Sequence, residues 1–154
     1  MLDLLVRLYQ LPEKAKSTGE DFAVRRAVAA EKEMVRDFAA QHFTGGWASE
    51  GEIAFARMPI ACFIAVNRDA IAGFACYDVA ARGFFGPIGV AAQQRNNGLG
   101  SALLLAALRD MSAQGYAYAI IGRVPDAEFY RRNLNVIEIP DSEPGFYRGL
   151  LKSQ

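Results

Sequence analysis

Residues Gly86-Pro87-Ile88-Gly89-Val90, Ala91-Ala92-Gln93-Gln94, Arg95-Asn96-Asn97-Gly98-Leu99-Gly100-Ser101 and the run from Ala102 to Gly115 organise the rest of the chain. A short apolar strand runs into a polar, glycine-containing loop, and the loop opens directly onto an apolar helix. Gly98 and Gly100 remove side chains where backbone must come close to a ligand, while Asn96 and Asn97 tolerate left-handed conformations. The free amides of the loop and the positive end of the helix dipole together make an anion site. A pyrophosphate is its natural guest.

Two common phosphate loops do not fit. No Gly-Lys-Ser/Thr follows and no lysine lies near, so this is not a P-loop. Gly98-Leu99-Gly100-Ser101-Ala102-Leu103 carries leucine where a dinucleotide fingerprint needs its third glycine for close helix–strand packing. The spacing Arg95-x-x-Gly98-x-Gly100 instead resembles motif A of the GNAT superfamily of acyl-CoA-dependent N-acyltransferases, Arg/Gln-x-x-Gly-x-Gly/Ala. Its placement, after a strand ending in Val90 and ahead of a long helix and then Phe129-Tyr130, strengthens the resemblance. Asn96 stands where a glycine usually follows the arginine, a replacement that left-handed geometry tolerates.

With 154 residues the chain is long enough for one domain with a proper core. Its formal net charge of zero argues against holding nucleic acid or an acidic membrane by bulk electrostatics. Met1 to Arg7 is too short and too charged for a signal peptide, and no apolar run approaches a membrane span. Cys62 and Cys76 lie in apolar runs, where buried free thiols are the rule, so no disulfide framework is expected. These features predict a cytoplasmic protein.

Along the chain, residues 1–20 read as an N-terminal extension, with an extra edge strand over Leu2–Leu11 and a polar surface loop over Pro12–Glu20. Alternation predicts a strand over Asp21–Val28, with Arg26 the exception on its apolar face. Met34, Val35, Phe38 and Ala39 at helical spacing predict a helix over Ala29–Phe43, broken by Gly45-Gly46. A second helix is expected over Trp47–Met58, with Ser49 and Glu52 as its capping residues and Pro59 as its stop. Ile60–Val66 and Ile71–Val79 read as a hairpin, and Gly83–Val90 as the next strand. The apolar helix over Gly98–Gln114 should lie deep against the sheet and end at a left-handed Gly115. Tyr116–Gly122 reads as a buried strand, and Asp126–Leu134 as a short helix capped by Asp126 and ended by a left-handed Asn135. Val136–Ile139 and Gly145–Leu151 read as final strands.

This order of elements is the GNAT order, and the resemblance covers Phe22 to the end. It implies an α/β fold: a mixed, mostly antiparallel twisted sheet, splayed at its centre, with helices on both faces. It implies acetyl-CoA as co-substrate, an amine of a small molecule or peptide as acceptor, direct attack, and no metal. It leaves room for a homodimer. Pantetheine would run along Ile88, Gly89 and Val90, and the phosphates would lie on the loop Arg95, Asn96, Asn97, Gly98, Leu99, Gly100 and Ser101. Gly86, Pro87 and Gly89 suit a bulged strand that cannot pair on both sides. An amide near Val90 would receive the developing oxyanion.

Tyr130, in Ala127-Glu128-Phe129-Tyr130-Arg131-Arg132, resembles the family's tyrosine that protonates the leaving thiolate. Arg123 stands where the family often has an asparagine, and could reach a phosphate instead. Phe43, Trp47 and Glu50 would line the acceptor pocket. The family often places a glutamate on the strand before the loop, but Phe84–Val90 has no carboxylate, which leaves Glu50, Glu52, Asp78, His42 or a water chain to take the proton. A different reading keeps the fold without catalysis, as an acyl-CoA-binding or regulatory module. Cysteine nucleophiles are not expected, since neither thiol has a histidine in its local pattern.

Overall fold

In the computed structural model, which describes residues 1–152, the apolar alternating segments form seven strands of one sheet. They are β1 (Leu4–Arg7), β2 (Phe22–Arg26), β3 (Cys62–Asn67), β4 (Ala70–Tyr77), β5 (Phe84–Val90), β6 (Tyr118–Ile121) and β7 (Val136–Glu138). The helices are α1 (Lys32–His42), α2 (Gly45–Ala54), α3 (Leu99–Ala113) and α4 (Glu128–Asn133). Strand order is β2-β3-β4-β5-β6-β1-β7. Every pairing is antiparallel except that of β5 with β6. Among the described residues no helix is long and apolar enough to cross a membrane.

Helices cover both faces, as neighbouring residues of β4 show. Phe74 packs against the rings of Phe38, Phe43 and Trp47 from α1 and α2. Gly73, pointing the other way, leaves room for α3: a Cβ there would stand 3.0 Å from a Leu103 methyl and 2.9 Å from the Gly89 carbonyl oxygen. Leu99, Leu103, Leu104, Ala107, Leu108 and Met111 of α3 are fully buried, and each large aliphatic chain so buried contributes about 1.5–3 kcal/mol. The inward-facing Arg26 is satisfied by Asp110 of α3, with Nη1 and Nη2 donating to its two oxygens at 2.9 and 2.5 Å. Tyr77 donates to the same carboxylate. A bidentate pair of this kind fixes geometry as well as charge.

Several sequence expectations are corrected. The N-terminal strand is no edge: β1 lies between β6 and β7, antiparallel to both, with Leu4 and Val6 buried. Its partners are more than a hundred residues away, so local pattern carries no trace of them. Helix α2 starts at Gly45 because Thr44 Oγ1 accepts from the Trp47 amide at 3.1 Å. Ser49 lies inside that helix and donates to the Gly45 carbonyl instead of capping. Asn135 is not left-handed, since the buried Leu134 leaves α4 already extended into β7. Gly145–Leu151 forms no strand: left-handed Gly145 and Gly149 bend it into a single 3-10 turn over Gly145–Tyr147. Cys62 and Cys76 are buried free thiols at directly paired positions of β3 and β4.

Candidate active site

The site arises where β5 outlasts its neighbour. β5 and β6 pair only at Phe84↔Ile120 and Phe85↔Ile121, whereas β5 runs on to Val90 with only β4 beside it. The register on β4 slips between Tyr77↔Phe85 and Ala75↔Ile88, so Gly86 and Pro87 together face the single residue Cys76. That is a β-bulge, with Gly86 at φ +119°. Beyond the bulge, the Ala91 amide donates to the Ala72 carbonyl, which makes Gly73↔Val90 and Ala75↔Ile88 the non-hydrogen-bonded pairs of the antiparallel ladder. The amides and carbonyls of Ile88 and Val90 therefore face the gap that β6 has left. The Val90 carbonyl already takes a hydrogen bond there from Arg95 Nε, at 3.2 Å.

This gap is one wall of a cleft of about 1120 Å³. At one end lies the loop before α3. Gly98 is the N-cap of α3 at φ +73°, Asn96 is left-handed at φ +67°, and the first-turn amides of the helix point into the cleft. The two glycines also serve the protein's own packing. A Cβ on Gly98 would sit 2.5 Å from the Ser17 carbonyl oxygen, and one on Gly100 would be 3.2 Å from the Phe129 ring. Nor is the loop remote from lysine: the N-terminal segment crosses it, with the Lys16 amide 3.4 Å from Ser101 Oγ and Lys16 among the residues that line the cleft. Asn97 alone of the expected phosphate residues does not line it, because its side chain turns back to the Gln94 carbonyl at 3.1 Å.

The other end is built from distant segments. Phe43, at the C-terminus of α1, lies directly on Gly89, where a Cβ would be only 2.4 Å from the ring. Trp47 stacks on Phe43 at 4.9 Å between centroids. One turn along α2, Glu50 faces the same cleft without a hydrogen-bond or salt-bridge partner among the described residues, and burial pushes its carboxyl pKa upward. Tyr130 reaches in from α4, and burial pushes its phenol up to about 12. Tyr147, on the turn expected to be a strand, joins them. Burial, then the charges of Glu50 and Asp3, raise the pKa of that phenol. Arg123 spreads its guanidinium over the Tyr147 ring, 5.3 Å from the centroid.

Of the expected site residues, Ile88, Gly89, Val90, Arg95, Asn96, Gly98, Leu99, Gly100, Ser101, Phe43, Trp47, Glu50 and Tyr130 all line this one cleft. Three of the four residues considered as proton acceptors do not. Asp78 accepts from Tyr116 Oη and the Gly83 amide, at 2.6 and 2.7 Å. Glu52 faces Lys32 and Arg36, and His42 packs on the Phe38 ring. Lys16 and Tyr147 were missed because each lies in a segment with no local pattern pointing at the cleft.

No curated protein matches the chain. Among solved structures, it is similar to a GCN5-related N-acetyltransferase from Sphaerobacter thermophilus (20% identity, TM-score 0.68, 89% of this chain and 48% of that one). It is also similar to a GCN5-related N-acetyltransferase from Kribbella flavida (16%, 0.62, 89% and 53%). A third similar structure holds the GCN5-related glucosamine N-acetyltransferase region of a fungal multi-domain β-N-acetylglucosaminidase (13%, 0.69, 89% and 20%). The chain spans about half the length of the first two and a fifth of the third. At such identities the likeness is one of fold. The family model of the acetyltransferase (GNAT) family, however, matches residues 17–135. That stretch holds the open strand, the loop and Tyr130, and by it this chain belongs to the GNAT acetyltransferase family.

Proposed function

We propose that the protein is an N-acetyltransferase that moves an acetyl group from acetyl-CoA directly to an amine. The observation that carries this reading is the unpaired edge of β5 at Ile88 and Val90, leading straight to the free amides of the α3 N-terminus. An extended amide-bearing chain can add to that edge as a strand would, with its phosphates on the helix end. The Val90 amide faces the position where the thioester carbonyl gains charge, and a donor of this kind contributes on the order of 3 kcal/mol to the transition state. Tyr130 holds its proton throughout the neutral range. A phenol of pKa about 12 gives that proton up only to a sulfur desolvated by the same walls, which is the situation inside the cleft. Phe43 and Trp47 provide an apolar wall for the acceptor, and Glu50 lies on the same side of the cleft.

The test has two stages. Acetyl-CoA and CoA should raise the melting temperature, whereas ATP and NAD should not, because a ligand that binds only the native state stabilises it. A shift with ATP alone would sink the reading. Release of free thiol from acetyl-CoA in the presence of primary amines then separates an enzyme from a module that only binds acyl-CoA.

A further inference from the structure

The amine must lose a proton as it becomes an amide, and β5 carries no carboxylate to take it. Among the described residues that line the cleft, only Glu50 and Asp126 are acidic. Asp126 is engaged at the start of α4, where its Oδ1 accepts from the Glu128 amide at 2.9 Å. Glu50 has no such engagement. It sits one helical turn from Trp47, which stacks on Phe43, which lies on Gly89 of the open strand. Its carboxylate thus belongs to the wall that faces β5. Its charge is felt by two groups on other elements, Cys76 of β4 beside the bulge and Tyr147 of the C-terminal turn. Behind Tyr147 stand Arg123, over the ring, and Asp3. The groups that feel the charge of Glu50 are therefore two neutral acids, and no salt bridge reaches its carboxylate among the described residues.

We propose that Glu50 is the catalytic base, an assignment that rests on the acetyltransferase reading above. The neutral amine nitrogen attacks the thioester carbonyl, and its proton passes to a Glu50 oxygen as the C–N bond forms. The oxyanion collapses, the C–S bond breaks, and the departing sulfur takes the Tyr130 proton. Glu50 then loses its proton to water and Tyr130 regains one, so that amine and acetyl-CoA give amide and CoA with no net change in the protein. A half-buried carboxylate without a cationic partner is a stronger base than an exposed one, which suits it to this step.

Thiol release is measured with spermidine, tyramine and glucosamine as probe amines, for the native protein and for Glu50→Gln and Glu50→Asp. Loss of a general base lowers kcat about a hundredfold, and Glu50→Gln should show that loss with KM for the amine little changed. The native kcat should fall as pH drops through a value above the ordinary glutamate range, because protonation removes the base. That limb should be absent in Glu50→Gln and partly restored in Glu50→Asp. A raised KM at constant kcat, or an acid limb that survives in Glu50→Gln, overturns the proposal and leaves Glu50 as a binding group only. Absence of thiol release from native protein that still binds CoA overturns the acetyltransferase reading, and the base with it.

Discussion

The two ends of the cleft are made in opposite ways. The end proposed for the phosphates is one continuous segment, from Ile88 to Ser101, and offers backbone: open strand amides, a left-handed Gly98 and the first turn of α3. The end proposed for the acceptor is assembled from the end of α1, from α2, from α4 and from the C-terminal turn, and offers side chains. A backbone site tolerates many side chains but few changes of conformation. A side-chain site has the reverse sensitivity. Motifs in a sequence therefore report the first kind far better than the second.

The largest expected effect tests the acceptor end. Tyr130→Phe removes one hydroxyl and keeps the ring, so kcat should fall about a hundredfold while KM for acetyl-CoA and the melting temperature barely move. Unchanged kcat would make Tyr130 a packing residue, and the contrast between the ends would lose its catalytic half. A smaller loss, of the opposite character, is expected from Gly98→Ala. A side chain at φ +73° costs about 1–2 kcal/mol, and the new Cβ would press on the Ser17 carbonyl. Calorimetry and thermal melts should show stability and CoA affinity falling together, and native behaviour in both would contradict a backbone-determined site. The smallest effect sharpens the boundary. Lys16 is an exposed residue lining the cleft beside the loop, so Lys16→Glu should weaken CoA binding about fivefold, the range of exposed charge pairs, with Lys16→Arg near native. Equal affinity in all three proteins would show that this end owes nothing to side-chain charge.

Much of the fold was readable in order. Helix α3 was expected where it lies because its apolar residues recur on nearly every side, and the hairpin of β3 and β4 because two apolar runs flank a short turn. The corrections have near as well as distant causes. Ser49 looked like a cap until Thr44 took that role through the Trp47 amide. Asn97 was expected to offer its backbone amide, and its side chain turns back to the Gln94 carbonyl instead of lining the cleft. Leu2–Leu11 looked like an edge because four residues of strand pattern are the same whether one neighbour or two lie beside them.

What the sequence determined by itself was local: the strand–loop–helix unit, the bulge at Gly86-Pro87, the burial of α3 and the succession of elements. Each follows from side-chain periodicity or from glycine, proline and asparagine geometry within a few residues, and so needs no knowledge of the rest. The tertiary structure alone decided three things. It set β1 between β6 and β7, carried Lys16 across the loop, and left Glu50 rather than Asp78, Glu52 or His42 facing the cleft. Those outcomes depend on which surfaces close against one another, a property of the packed sheet and its helices that residue spacing along the chain does not encode.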